Sequence, residues 1–442
     1  MVVKLKRIVI EHVKNVEHGS IDFTDGETFL NVTGIYGQNG SGKTTLVDVL
    51  DITRRIIRNS SLSDSYAGML SEKNDARITI EIEELGKRVI QYIVVLKKIK
   101  NNNDGFSVRV QEESVITKIL EKYKTYRKLA HYQFDSKEII QFNINEKIAS
   151  QDALNIISDV SADNKSSFLF SNSFKKLVKD ADKFQELYLV LSLLNKFAHN
   201  LRIYTSEYAG LISANIVAPV GINYKDGDKD VHGLLPFHLR GSEGYIPKKM
   251  MRMYKKVIEQ MNTLLPEIIP NLSLKMYERD IRTDKNGEEE VRLEFLSIRD
   301  GKQFSLHYES DGVKKIIGLI GYLVEVYNKP DIIAVIDELD SGIYEYLLGE
   351  LIEVISTGAK GQLIFTSHNL RILEVLESNK VIFSTTNPKN RYIRMKGVKK
   401  SNNLRDMYLR TIQLGGQEEN LYEGKSSTAL RISLMRAGVG DE

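Results

Sequence analysis

The chain has 442 residues, with 62 Lys and Arg against 59 Asp and Glu, a net charge of +3 and 42% hydrophobic residues. This is enough for about two or three ordinary domains, each with its own core, and the balanced charge excludes a uniformly basic field for holding nucleic acid. The chain has no cysteine, which excludes disulfides, thiolate zinc sites and a cysteine nucleophile. With no apolar run near the ~18 residues of a membrane span and no signal-peptide core, a soluble cytoplasmic protein with no membrane partner is expected.

The first 36 residues predict three short strands, 3–12, 17–23 and 28–35, separated by polar turns at Lys14-Asn15 and Thr24-Asp25-Gly26. Next come Gly37, Gln38, Asn39, Gly40, Ser41, Gly42, Lys43 and Thr44, followed by Thr45. This is G-x-x-x-x-G-K-T, the phosphate loop of nucleoside triphosphatases. Its glycines let backbone N–H groups surround a β-phosphate, while Lys43 reaches the β and γ oxygens and Thr44 holds Mg²⁺. The helical pattern over 44–57 puts the loop between a strand and a helix N-terminus, as anion binding requires.

Alternating segments at 76–84, 88–96 and 106–110, the last two separated by the turn 101–105, predict a mostly antiparallel sheet. Apolar residues from Leu177 to Leu201 recur at three- and four-residue steps, predicting one long amphipathic helix. Residues 222–246, rich in Gly and Asp, are expected to form a loop, and helical spacing returns over 257–265 until Pro266 and Pro270. Strands are predicted at 272–280, 290–298 and 302–308. Helix 313–327, strand 332–337, helix 344–355 and strand 362–366 then follow the rhythm of a parallel sheet with crossover helices. The tail beyond Asn403 carries a short helix.

The strand ending in Asp337-Glu338 reads as a Walker B element. Asp337 would bind the Mg²⁺ shell, and Glu338 would polarise the water that attacks the γ-phosphate. His368, after the apolar run 363–365, could contact the γ-phosphate or orient that water, while Ser367 or Asn369 would cap the helix that follows. Ser310-Asp311-Gly312 opens an apolar helix. Ser310 is either a plain N-cap or, facing a second subunit, a grip on that subunit's γ-phosphate.

Phosphate loop, Ser310-Asp311-Gly312, Asp337-Glu338, Asp340-Ser341-Gly342 and His368, in that order, resemble the ABC-type ATPases of the SMC and RecF-like branch. The resemblance spans roughly residues 1–110 and 270–400. It implies an α/β fold: an ABC-type P-loop ATPase head, with a mixed-sheet lobe and a parallel-sheet lobe, interrupted by a helical insertion. The expected organisation is 1–148 and 272–402 for the two lobes, 149–271 for the insertion and 403–442 for the tail. By the same resemblance Ser310 and Gly312 are the signature acting in trans, Asp340 belongs to the D-loop, and Lys14 and Asn15 touch nucleotide from the turn after the first strand. The signature departs from Leu-Ser-Gly-Gly-Gln. No Q-loop glutamine stands out, Gln133 and Gln141 being the candidates, and no heptad run supports long coiled-coil arms.

The segments Tyr-Glu-Ser-Asp-Gly-Val-Lys-Lys, Asp-Glu-Leu-Asp-Ser-Gly-Ile-Tyr-Glu-Tyr and Thr-Ser-His-Asn-Leu look like stand-alone bacterial ATPases of anti-phage and abortive-infection systems, of the PARIS AriA and AbiL types. That resemblance implies an Mg²⁺-dependent ATPase, with ATP as substrate, that forms a head-to-head dimer with itself. Such an ATPase would sense a phage-derived trigger and restrain or license a separate effector, such as a TOPRIM-type nuclease. The alternative is a repair-type ATPase that clamps DNA.

Overall fold

The structure, a computed structural model, describes residues 1–101, 105–122, 125–136, 140–142, 147–226, 229–239, 245–397, 403–424 and 426–438. Most of the expected turn 101–105 and part of the expected loop 222–246 lie outside these residues.

β1 (Val3–Val13) and β2 (Val16–Asp22) form a hairpin around Lys14-Asn15, and β3 (Val32–Tyr36) leaves for a different sheet. α1 (Lys43–Ile57) follows the phosphate loop, then β4 (Ala76–Glu84), β5 (Arg88–Lys100), β6 (Phe106–Ile119), β7 (Arg127–Gln133) and β8 (Ile140–Phe142). These build an antiparallel sheet in the order β8-β7-β6-β5-β4-β1-β2. In β1 the buried apolar positions change phase, from Val3 and Leu5 to Ile8 and Ile10, because the pairing with β4 shifts register between Leu5 and Arg7. An extra residue in one strand flips every later side chain to the other face.

The single helix expected over 177–201 is two helices. α2 (Gln151–Asp163) and α3 (Asn172–Asp180) precede a short 3₁₀ turn, Asp182–Phe184, which tucks Phe184 into the core before α4 (Gln185–Asn200) begins. The apolar spacing continues through the turn, so periodicity alone does not reveal the break. β9 (Leu201–Tyr204) and α5 (Ser206–Ser213) follow, and then a hairpin of β10 (Val217–Asp226) and β11 (Lys229–His238) occupies much of the expected loop. Its buried Val220, Leu235 and Phe237 pack into the core shared with later helices. The stretch 149–271 therefore carries strands as well as helices, and β9 joins the main parallel sheet. α6 (Met251–Ile268) runs through Pro266, which falls in its last turn and costs the helix one intrahelical hydrogen bond just before it ends.

β12 (Ser273–Thr283), β13 (Glu289–Arg299) and β14 (Lys302–Ser305) form a small antiparallel sheet together with Tyr245–Pro247. α7 (Asp311–Asn328), β15 (Ile333–Ile336), α8 (Glu345–Gly358), β16 (Gln362–Thr366), α9 (Ile372–Val375), β17 (Val381–Ser384) and β18 (Tyr392–Ile393) complete the second lobe. The tail holds α10 (Leu404–Leu414) and the exposed α11 (Ser427–Gly438).

The second sheet has the order β9-β15-β16-β3-β17-β18, parallel except for β18. Alternate residues of its strands feed two different cores. Ile35, Ile333, Val335 and Ile364 face the core of the antiparallel sheet with α1 and α4, whereas Val32, Ala334, Ile336 and Phe365 face the core of α7 and α8. A sheet covered on both faces needs apolar residues at every position, which is why these strands read as unbroken apolar runs. The fold is thus α/β, with the strand that precedes the phosphate loop lying near the middle of the parallel sheet.

Candidate functional site

The loop from Gly37 to Gly42 joins the buried end of β3 to α1. Gly42 is the N-cap of α1 at φ 91°, a left-handed conformation that a side chain would strain. Tyr392 donates its hydroxyl to the Gly42 carbonyl at 2.6 Å, and Ser41 Oγ donates to the Gln38 carbonyl at 2.7 Å. The Lys43 ammonium curls over the loop and donates to the carbonyls of Gly37 and Gln38, 2.9 Å each. Burial lowers the Lys43 pKa, while Asp337, Glu338 and Asp340 pull it back up. An anionic phosphate would complete this charge arrangement.

Across the parallel sheet, β15 and β16 end side by side, β15 delivering the acidic pair and β16 the threonine that holds it. Asp337 is buried, and its Oδ1 accepts from Thr366 Oγ1 at 2.6 Å and from Thr44 Oγ1 at 3.4 Å. Its other oxygen, Oδ2, is buried with no hydrogen-bond partner. A buried carboxylate oxygen left unpaired beside a threonine hydroxyl is costly and suits a cation. Thr44 and Asp337 would therefore suit a magnesium ion, which would offset the charge of a bound phosphate. Glu338 follows with its backbone at φ 48°, left-handed for a non-glycine residue. Its N–H donates to Thr366 Oγ1 at 2.7 Å, so one threonine hydroxyl holds both members of the pair.

A cavity of about 390 Å³ opens between these parts, lined by Lys14, Asn15, Asn39, Gly40, Gly42, Lys43, Thr44, Thr45, Glu338 and His368. The Lys14 ammonium pairs with Asp48, and the Asn15 amide donates to the Gly40 carbonyl, so the turn after β1 braces the loop from outside. His368 gives its N–H to Asp340 Oδ2 at 3.0 Å. Burial and, second, the Lys43 charge lower its imidazole pKa below the usual histidine value.

Gly37, Gln38 and Ser41 do not line this cavity. Ser41 pairs with Ser384, and Gln38 Oε1 accepts the Glu423 N–H at 3.0 Å, a contact from the tail. Asp340 acts from behind, through the His368 backbone. Ser310 is exposed and caps α7 by accepting from the Val313 N–H at 3.4 Å, and Gly312 is packed against Gly342. Neither Ser310 nor Gly312 lines the cavity of its own chain, nor do the exposed Gln133 and Gln141. Three contributors were given no role by the sequence: Thr366 and Lys315, which lie inside the quoted segments, and Tyr392, which lies in none. Thr366 sits two residues before His368 at the end of an apolar strand, a position that would have marked it.

The family model whose description reads "AAA domain, putative AbiEii toxin, Type IV TA system" matches residues 32–374. The chain belongs to this AAA-domain family. The match covers the phosphate loop, the acidic pair and His368, so the cavity is that of an AAA-type ATPase domain. No curated protein matches the chain. Solved structures similar to this AAA-domain protein include the SmcHead bound to the C-winged helix domain of ScpA, with 13% identity, a TM-score of 0.43, and 89% of this chain and 97% of that chain covered. An Smc head domain with an extended coiled coil bound to the C-terminal domain of ScpA, from Pyrococcus furiosus, has 13% identity and a TM-score of 0.40, covering 89% and 96%. The SMC head domain from Thermotoga maritima has 15% identity and a TM-score of 0.38, covering 89% and 99%. Among the described residues, no helix is long and apolar enough to cross a membrane.

Proposed function

We propose that this AAA-domain protein hydrolyses Mg·ATP at a site shared between two copies, and uses the ATP-bound dimer to restrain or release a separate toxic effector in phage defence. The observation that carries the proposal is a division of parts. Lys43, Thr44, Glu338 and His368 surround one cavity with Asp337 directly behind, while Ser310 stands exposed at the start of α7 and outside that cavity. Lys43 and the loop amides hold the β- and γ-phosphates. Thr44 and Asp337 hold magnesium, which neutralises phosphate charge when bound. Glu338 accepts a proton from the attacking water, and neutral His368 donates to or orients the γ-phosphate. Ser310 of a second copy supplies a hydroxyl and the N-terminal amides of α7 from the opposite side.

The effector role rests on the family's printed description and on the anti-phage resemblance of the motifs. A nuclease of the TOPRIM type is the partner class, and a phage product is the trigger class.

The deciding experiment uses Glu338→Gln. Hydrolysis should fall about 100-fold or more, with the ATP dissociation constant within about threefold of wild type. Light scattering should detect an ATP-dependent dimer that Ser310→Arg abolishes. Undiminished hydrolysis by Glu338→Gln would remove the catalytic assignment. A monomer in saturating ATP would reduce Ser310 to a helix cap. For the cellular role, phage plating on cells carrying the protein with its adjoining reading frame should lose protection on Glu338→Gln.

A further inference from the structure

Lys315 lies in the first turns of α7, is only 3% exposed, and among the described residues makes no ion pair. Its ammonium donates instead to two backbone carbonyls, those of Glu338 and of Ser341, the latter at 3.0 Å. Burying a lysine without a carboxylate partner is costly, and such a group persists where the surroundings need its charge or its donors. The recipient here is a peptide segment of the site held in an unusual conformation. Glu338 has φ 48°, a region that disfavours residues with a β-carbon and is retained when contacts over-determine it.

Those contacts come from three elements. From β16, Thr366 Oγ1 accepts the Glu338 N–H at 2.7 Å and the Thr366 carbonyl accepts the Leu339 N–H at 3.0 Å. Within the turn, the Ser341 N–H donates to the Glu338 carbonyl at 3.0 Å. From α7, Lys315 reaches that same carbonyl and closes the turn at Ser341. Threonine fixes the amide side of Glu338, and Lys315 fixes the carbonyl side. The side chain between them lines the nucleotide cavity. The neighbouring lysine does something different. Lys314, 1% exposed, sends its ammonium to Asn215 Oδ1 at 2.6 Å, away from the acidic turn.

We propose that Lys315 is a positioning residue for ATP hydrolysis: it clamps the Glu338–Ser341 turn so that the Glu338 carboxylate stays aimed into the cavity, and it ties that aim to the helix that begins with Ser310. The inference rests on the assignment of Glu338 as the catalytic carboxylate. Burial lowers the lysine pKa to about 8 while Asp340, Glu338 and Asp337 raise it, so the donor is charged at neutral pH. Because α7 carries both Ser310 and Lys315, a displacement of its N-terminus by a second copy would reach Glu338 through one side chain.

The test compares Lys315→Met, which fills the space without donors, with Lys315→Arg, which restores donors, and with Lys314→Met as a matched loss of a buried lysine. Lys315→Met should lower kcat about tenfold or more with KM and ATP affinity within about threefold, Lys315→Arg should recover part of kcat, and Lys314→Met should hydrolyse ATP near the wild-type rate. Hydrogen exchange in the peptide spanning 337–343 should quicken in Lys315→Met and not in Lys314→Met. If Lys315→Met does not fold, Lys315→Gln, too short to span both carbonyls, takes its place under the same criteria. A kcat unchanged by loss of Lys315, or unchanged exchange in 337–343, overturns the proposal. Should Glu338→Gln itself leave hydrolysis intact, the catalytic assignment falls, and the exchange data alone then decide whether Lys315 holds the turn.

Discussion

Gly312 and Gly342 meet backbone to backbone. A β-carbon on Gly312 would lie 1.9 Å from the Gly342 carbonyl oxygen, far inside van der Waals contact. The opening turn of α7 and the turn after Glu338 are therefore fitted to each other with no room for a methyl group. Gly312→Ala must push them apart, and overpacking of this kind costs about 1–3 kcal/mol. The expected result is a drop of a few degrees in melting temperature together with about tenfold slower hydrolysis, because the displaced turn carries Glu338. Unchanged hydrolysis at a lowered melting temperature would separate this packing from catalysis.

Lys43 illustrates a charge in reserve. With its ammonium donating to the carbonyls of Gly37 and Gln38, it already holds the geometry from which it can turn to phosphate. Charged hydrogen bonds contribute about 1.5–3 kcal/mol each, so Lys43→Met should weaken ATP binding about 10- to 100-fold. The carbonyls of Gly37 and Gln38 lose a charged donor, that of Gly37 in buried surroundings, and stability should fall by about 1–3 kcal/mol. Calorimetric titration with ATP and chemical denaturation measure the two effects; equal ATP affinity in the variant would contradict the phosphate role.

The parts of this site that were legible in the sequence are those in which chemistry demands particular residues in a row. The loop from Gly37 to Thr44 and the pair Asp337-Glu338 are of this kind, and strand 362–366 keeps its predicted bounds because both its faces are buried. What stayed hidden depends on distant partners. Thr366 holds Asp337 and Glu338 only because β16 pairs with β15, and Lys315 meets the turn after Glu338 only because α7 is buried against it. The hairpin of β10 and β11 is Gly- and Asp-rich and looks like a loop until α7 packs beneath it, with Gly221 tight against Gly321. Local propensity yields to such packing. Ser310 caps α7 within one chain, and its proposed second partner belongs to another molecule.

One buried amide links β1 to the parallel sheet. Gln362, buried on the parallel sheet, accepts the Leu5 N–H at 2.8 Å and donates to the Leu5 carbonyl at 2.9 Å, at the irregularity where β1 changes phase. Gln362→Leu would leave both Leu5 groups buried without partners, at about 1–3 kcal/mol each. Urea unfolding should register a loss of about 2–4 kcal/mol, with ATP affinity retained because Leu5 is not part of the cavity. A loss below about 0.5 kcal/mol would mean that water or a backbone shift replaces the amide.

The pH response of His368 follows from its surroundings. Burial is the largest cause lowering its pKa from 6.5, repulsion from Lys43 adds to it, and Asp340, Glu338 and Asp337 oppose it. In the nucleotide-free protein the imidazole should therefore titrate below 6.5 and be neutral at neutral pH. Because the unfolded chain takes up this proton at a higher pH than the folded one, the stability linked to His368 is intact above 6.5 and declines as pH falls through the folded pKa. Lys43→Met removes the second cause and should raise the midpoint, and ATP, which brings negative charge, should raise it further. NMR titration of the imidazole, assigned by loss of its signal in His368→Gln, measures all three; a midpoint at or above 6.5 without nucleotide would refute the neutral-histidine role.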